Sequence, residues 1–180
     1  PTGAQKQVIR EKTGVVMDAH QSVWEYTRQA GGNSGFLVIR RGYIVGEWYH
    51  GCDRSTTYNI YSSSKSYTTA AFGMLLGDVQ DGKHSRFSDL TLKTKIFNEK
   101  YLPEALPLAD SRKADITLAQ LLSMTAGFDA KSPPLEAPLE WSFGKVKGSP
   151  MAQLAAAPGT KFLYSNGGAA HLLPGPVDSE

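Results

Sequence analysis

The sequence predicts an α+β fold, on three observations. A helix-period segment is followed at once by two β-rich runs with a tight break between them, and almost everything after residue 58 carries helix, turn or loop signals. The 180 residues, 41% hydrophobic and 20% charged, suffice for one sizeable core, so a single domain spanning 1–180 is expected.

In "VVMDAHQSVWEYTRQA", residues 15–30, apolar positions at Val16, Ala19, Val23, Trp24 and Thr27 predict an amphipathic helix, ended by "GGNSG". "FLVIRRGYIVGEWYH" then predicts an antiparallel hairpin, Phe36–Arg40 against Tyr43–Tyr49, turning at Arg41-Gly42. Two strands alone are marginal in water, so this pair needs further strands or a helix packed on it. From Ser62 to about Val79, apolar residues at Tyr67, Ala70, Ala71, Met74, Leu75 and Val79 surround most of the helix circumference, which predicts a buried helix. A loop-rich stretch leads to "ITLAQLLSMTAGF", where Thr117 caps a short helix to about Met124 and Gly127 stops it. Residues 128–150, with "KSPPLEAPLE", read as surface loop, and "SPMAQLAAA" as a last short helix closed by Pro158-Gly159.

Composition narrows the function classes. With 19 basic against 17 acidic residues, interspersed, no block of like charge suits a phosphate backbone, and nucleic acid is not expected as a partner. No run approaches the roughly 18 apolar residues of a membrane span. Cys52 is the sole cysteine, which leaves no internal disulfide and reads as a small buried or half-buried filler. His20, His50, His84 and His171 are scattered without metal-ligand spacing, and no cofactor is expected. Asp78 with Asp81, and Glu136 with Glu140, read as solvated faces. Gly31-Gly32 and Gly167-Gly168 read as turns rather than phosphate cradles. The chain begins at Pro1 rather than Met, so it is read as a processed or excised chain, secreted or periplasmic if a leader was removed and cytoplasmic otherwise.

The candidate chemistry lies in Ser62-x-x-Lys65. Residues three apart share a helix face, so lysine reaches the serine hydroxyl, which is a weak nucleophile until a neighbour takes its proton. Burial or a nearby cation is needed to make lysine a base, and a helix start offers backbone N–H groups to an oxyanion. The competing reading is a helix cap. A second tetrad, Ser142-x-x-Lys145, sits in a glycine-bearing loop and reads as chance. Tyr164-Ser165-Asn166 is the chain's single Tyr-x-Asn: a phenol near an ammonium ionises more readily, and an asparagine amide can donate to a substrate carbonyl. Trp141 is a candidate for lining a substrate cleft.

"IYSSSKSYT", "ITLAQLLSMTAGF" and "PGTKFLYSNGGAAHLL", in this order and roughly at this spacing, resemble the serine β-lactamase and penicillin-binding superfamily. The likeness is greatest to the branch of class C β-lactamases, D-alanyl-D-alanine peptidases and β-lactamase-like esterases. It implies a transpeptidase-like fold, an antiparallel sheet flanked by helices plus a helical region, with the nucleophile heading a buried helix. It also implies Ser62 as acylated nucleophile, Lys65 as its partner, Tyr164 as the base that relays the proton, and Asn166 as a ligand to the substrate carbonyl. The expected function is a serine hydrolase acting through an acyl-enzyme on a small ester, a β-lactam or a short D-amino-acid peptide. The competing expectation is a catalytically silent fragment or binding module on the same scaffold. Met124 and Ala126 stand where the family usually has histidine and serine, in a segment expected to be structural. The family's third motif, Lys-Thr-Gly or His-x-Gly, does not follow Tyr164; the one Lys-Thr-Gly is Lys12-Thr13-Gly14, ahead of the first expected helix and read as coincidence. The chain is therefore expected to be an incomplete N-terminal portion, with a second chain as a possible source of the remaining sheet, and "PGPVDSE" after Leu173 reads as an altered end.

Overall fold

The computed structural model describes residues 2–29, 31–131 and 138–172, and the chain divides into two compact units, Pro1–Asn59 and Ile60–Glu180. Helices and one two-stranded antiparallel sheet make up the regular structure, so the class is α+β.

The first unit opens with α1 (Gly3–Thr13), a helix absent from the sequence reading. Thr2 and Gln5 close a reciprocal capping box at its start, and Gly14, at φ 74°, ends it with its N–H on the Arg10 carbonyl at 2.8 Å. Lys12-Thr13-Gly14 is thus the terminus of a helix rather than a segment ahead of the first one. Helix α2 (Met17–Gln29) lies inside the predicted 15–30, but its buried stripe differs. Met17 and Trp24 are buried while Val16 and Val23 are about half exposed, because the Trp24 indole, stacked 6.3 Å from Trp48, sets which face turns inward.

Strands β1 (Ser34–Arg40) and β2 (Tyr43–His50) form the expected hairpin. Its two-residue turn needs positive φ at both positions, supplied by Arg41 (51°) and Gly42 (78°). Val38 pairs with Gly46 and Ile39 with Ile44, so Val45 is an extra residue in a β-bulge, 4% exposed. A Cβ on Gly46 would meet the Trp48 ring at 2.3 Å; the missing side chain lets that indole lie along the strand. Helix α2 packs on both strands, the covering the hairpin required, whereas Leu37, Ile39 and Ile44 remain more than half exposed. Cys52 is a half-buried free thiol that donates to the Ser34 carbonyl at 3.2 Å.

In the second unit a 3-10 turn, Tyr61–Ser63, leads into α3 (Ser64–Gln80). The expectation of a buried α3 is corrected: none of its residues is fully buried. Phe72, Leu75, Leu76 and Val79 lean on the core, while Tyr67 and Met74 are 70% and 74% exposed. An apolar circumference permits burial on every side, but within this unit the core lies on one side only. Asp78 and Asp81 at its end both pair with Lys83, at 3.5 and 2.6 Å, as a solvated face.

The core gathers Phe97, Ile116, Leu118, Leu121, Phe128 and Met151 around α4 (Leu118–Leu122). Thr117 caps α4 in a capping box with Gln120, as expected. The helix stops at Ser123 rather than at Gly127, because Met124 adopts φ 58°. Thr117→Ala is expected to cost about 1 kcal/mol, read from the midpoint of urea unfolding.

The segment read as loop contains α5 (Leu139–Phe143); Glu136 and most of "KSPPLEAPLE" lie outside the described residues. Gly144, left-handed at φ 79°, ends α5 and sends Lys145 to the Leu106 carbonyl at 2.7 Å, so the second Ser-x-x-Lys is no pair. The helix expected over "SPMAQLAAA" is only a 3-10 turn, Pro150–Ala152. Tertiary partners take the backbone beyond it. The Leu154 N–H donates to Asp110 at 2.9 Å, Arg112 donates to the Leu154 carbonyl at 2.8 Å, and the Ala155 and Ala156 N–H groups donate to the Gly127 carbonyl. Helix α6 (Asn166–Ala170) follows, and Gly167-Gly168, read as a turn, is part of it. "PGPVDSE" lies outside the described residues.

Candidate active site

Ser62 sits in the middle of the 3-10 turn that precedes α3, exposed, after Tyr61 held at φ 44°. A left-handed tyrosine is strained, of order 1–3 kcal/mol, and such strain concentrates at positions the surrounding fold must hold. The cap reading of Ser62 fails on geometry. The residue at the N-cap of α3 is Ser63, which makes no side-chain cap bond, and the Ser64 hydroxyl donates to the Tyr61 carbonyl at 2.6 Å.

The Ser62 hydroxyl instead accepts from Lys65 Nζ at 3.0 Å, across one turn. Lys65 is half-buried and donates a second time, to Asn166 Oδ1 at 2.8 Å, bridging 101 positions of sequence. An ammonium can only donate, so it fixes the asparagine oxygen toward Lys65 and turns the amide Nδ2 away from it. Lys65 Nζ also lies 5.2 Å from the centre of the Tyr164 ring. Hydrogen bonding with Ser62, then with Lys65, draws the Tyr164 phenol below its ordinary pKa; partial burial opposes this, and the lysine charge adds to it. Ser62, Lys65, Tyr164 and Asn166, separate in the sequence, thus form one hydrogen-bonded group.

Tyr164 is placed by main chain rather than by its own packing, since it is 44% exposed. The Leu163 N–H donates to the Met124 carbonyl at 2.9 Å, and the Gly159 N–H donates to the Thr125 carbonyl at 2.8 Å. The left-handed turn after α4 is therefore a splint for the tyrosine segment. Asn166 is placed by α6, whose Ser165 N-cap accepts from the Gly168 N–H at 3.0 Å. A Cβ on Gly167 would meet Met151 Sδ at 2.5 Å and the Trp141 ring at 3.2 Å, so glycine lets α6 sit directly on the core. Trp141 is half-buried against that core and against Gly167. A cleft of about 190 Å³ opens beside Lys65 and Asn166, lined by Leu121, Leu122, Met124 and Ala169 among others. A larger hollow of about 350 Å³ lies in the first unit, bordered by Met17, Trp48 and the Lys6–Asp18 pair, and holds none of these four residues.

The family model described as Beta-lactamase matches residues 21–174. The chain belongs to the beta-lactamase family. No curated protein and no solved structure matches it. The beta-lactamase match runs from α2 through α6 and takes in all four clustered residues. The burial of two polar residues in this beta-lactamase-family core was not anticipated from the sequence. Lys113 is 1% exposed and donates to the Phe143 and Met151 carbonyls at 3.1 and 2.6 Å; burial lowers its pKa to about 8, although the nearby Asp110 charge opposes the fall. His171 is 4% exposed among phenylalanines. Neither is flagged by local sequence, since both sit in ordinary mixed stretches. Among the described residues no group of His, Cys, Asp and Glu is arranged to hold a metal, and no helix is long and apolar enough to cross a membrane.

Proposed function

We propose that this chain is a serine hydrolase that works through an acyl-enzyme on a small ester or amide. The observation that carries the reading is the double donation of Lys65, to the Ser62 hydroxyl and to Asn166, with the Tyr164 phenol hydrogen-bonded to Ser62 and Lys65.

In this reading the Ser62 hydroxyl gives its proton to a Tyr164 phenolate as Oγ attacks the substrate carbonyl, while the Lys65 ammonium holds the phenolate ionised. Tyr164 then passes the proton to the leaving alkoxide or amine as the carbonyl–leaving-group bond breaks. Asn166 aligns the substrate carbonyl through its amide. Water, deprotonated by the Tyr164 phenolate, attacks the acyl carbonyl, and the phenol returns that proton to Ser62 Oγ as the acyl–oxygen bond breaks. A small ester, a β-lactam and a short D-amino-acid peptide all suit this chemistry, and Trp141 is proposed to border the substrate through its contact with Gly167. The exposed Leu37, Ile39 and Ile44 on the outer sheet face support further strands, or a second chain, covering it.

Labelling with a fluorophosphonate and with a fluorescent penicillin, followed by peptide mass mapping, tests the reading. The expected adduct is on Ser62. Absence of any adduct, or an adduct on another serine, overturns it in favour of a silent scaffold or a different nucleophile.

A further inference from the structure

The His171 ring lies at the C-terminal end of α6 inside a cage of Phe97, Phe128 and Phe143, with ring centres 5.0, 4.8 and 5.1 Å away. Its Nδ1 is 2.9 Å from the Gly168 carbonyl. A carbonyl only accepts, so Nδ1 carries the proton, and Nε2 is left as a bare acceptor without a hydrogen-bond partner among the described residues. An aliphatic side chain would fill such a cage without orphaning a buried polar atom. What imidazole adds is the bond to Gly168.

That bond matters because α6 is five residues long, too short to persist unaided. Gly168 is gripped at both ends of its peptide: its N–H by the Ser165 hydroxyl at 3.0 Å, its carbonyl by His171. Its α-carbon rests on Phe128, where an added Cβ would stand 3.0 Å from the ring. Helix α6 begins with Asn166, the partner of Lys65, and Tyr164 is two residues earlier. The charged group facing the ring is Lys113, whose ammonium lies over Phe128 at 5.5 Å, and the other packed segments present phenylalanines.

We propose that His171 is a positioning residue: neutral, it pins the Gly168 carbonyl and so holds Asn166 and Tyr164 against Lys65, and its protonation releases α6. The catalytic consequence rests on the acyl-enzyme reading; the release of α6 does not. Enclosure by apolar rings disfavours the imidazolium most, and the Lys113 charge adds to this. The bond to the Gly168 carbonyl opposes it, and the pKa falls to about 4. The released state titrates near the ordinary 6.5, so between pH 6.5 and 4 it binds more protons than the closed state, and opening becomes easier as pH falls. From pH 7.5 to pH 5 the opening equilibrium should rise about 30-fold, given the fall in pKa from 6.5 to about 4.

Amide hydrogen exchange of the full chain, corrected for intrinsic rates, reads this directly. Peptides covering 163–172 should lose about 30-fold protection between pH 7.5 and 5, while α4 loses less. In His171→Leu and in His171→Asn that pH dependence should vanish. His171→Asn keeps a donor for Gly168, so it should label at Ser62 at pH 7.5 faster than His171→Leu does. A pH response that persists in either variant, or one of equal size in α4, overturns the proposal. If neither variant folds, imidazole NMR of the wild type decides: titration near 6.5 with unchanged α6 protection overturns it, and a suppressed titration that tracks α6 exchange supports it. A chain that fails to label at Ser62 but shows the α6 response refutes the acyl-enzyme reading alone.

Discussion

Lys65→Ala is expected to slow acylation of Ser62 by about 10²–10⁴-fold, the usual range for removing a positioned proton-transfer group. The single ammonium does three things at once. It donates to the Ser62 hydroxyl, it fixes the Asn166 oxygen, and it lies 5.2 Å from the Tyr164 ring, where its charge favours the phenolate. Lys65→Arg should not rescue the rate, because a guanidinium is bulkier, forked and bound to a different geometry. Tyr164→Phe should produce a loss in the same range while leaving the Lys65–Ser62 bond in place, and Ser62→Ala sets the zero of the assay. The pH profile adds a sign: the Tyr164 pKa is lowered, so acylation should rise with pH and level off below the ordinary tyrosine value of about 10. Stopped-flow labelling measures all of these. Wild-type rates in both Lys65→Ala and Tyr164→Phe would sink the proton relay, and a normal rate in Tyr164→Phe alone would move the base to Lys65.

Gly127→Ala is expected to be a strongly damaging small substitution for the fold, by about 3–5 kcal/mol. Gly127 adopts φ 92°, which costs an L-residue about 1–2 kcal/mol. A Cβ there would stand 2.2 Å from the Ala156 carbonyl oxygen, and backbone cannot swing aside as a side-chain tip does. Relief requires moving residues 155–156, whose N–H groups both donate to the Gly127 carbonyl, each bond contributing about 1 kcal/mol. Gly148→Ala supplies the control: φ is 82°, but nothing lies within 4 Å, so only backbone strain is added. Thermal unfolding should show a fall of about 10 °C for Gly127→Ala and a few degrees for Gly148→Ala. Equal losses would mean that the contact with Ala156 is unimportant.

The parts of the molecule legible in the sequence are those whose cause is local. The Arg41-Gly42 turn, the Thr117 cap and the Ser62–Lys65 spacing each depend on a few adjacent residues, and the structure has all three. Helix α1 was legible in principle, through the Thr2–Gln5 capping box, but it lacks an apolar stripe to draw attention. The segment 150–157 was not legible, because its helix is lost to Asp110, Arg112 and Gly127, partners more than twenty residues away. The depth of α3 was misread for a similar reason: the apolar residues fix what can be buried, and the neighbours decide what is. The burial of Lys113 and His171 was invisible because no local pattern distinguishes a lysine or histidine that will be buried from one that will not. That Tyr164 and Asn166 would join Ser62 and Lys65 in one site was implied by the family resemblance; the bond from Lys65 to Asn166 and the splint at Met124 that brings the tyrosine there were not anticipated.

The span of 101 positions between Lys65 and Asn166 has a consequence for the newly made chain. The serine and lysine emerge together and can pair as soon as one helical turn forms, yet the phenol and amide are translated a hundred residues later. At the usual 5–20 residues per second this is a delay of roughly 5–20 seconds. During that interval the serine is an ordinary alcohol beside a cation. On the proposed mechanism, Ser62 becomes reactive only with long-range closure, so a covalent probe added during synthesis should report the moment of closure rather than the emergence of the serine.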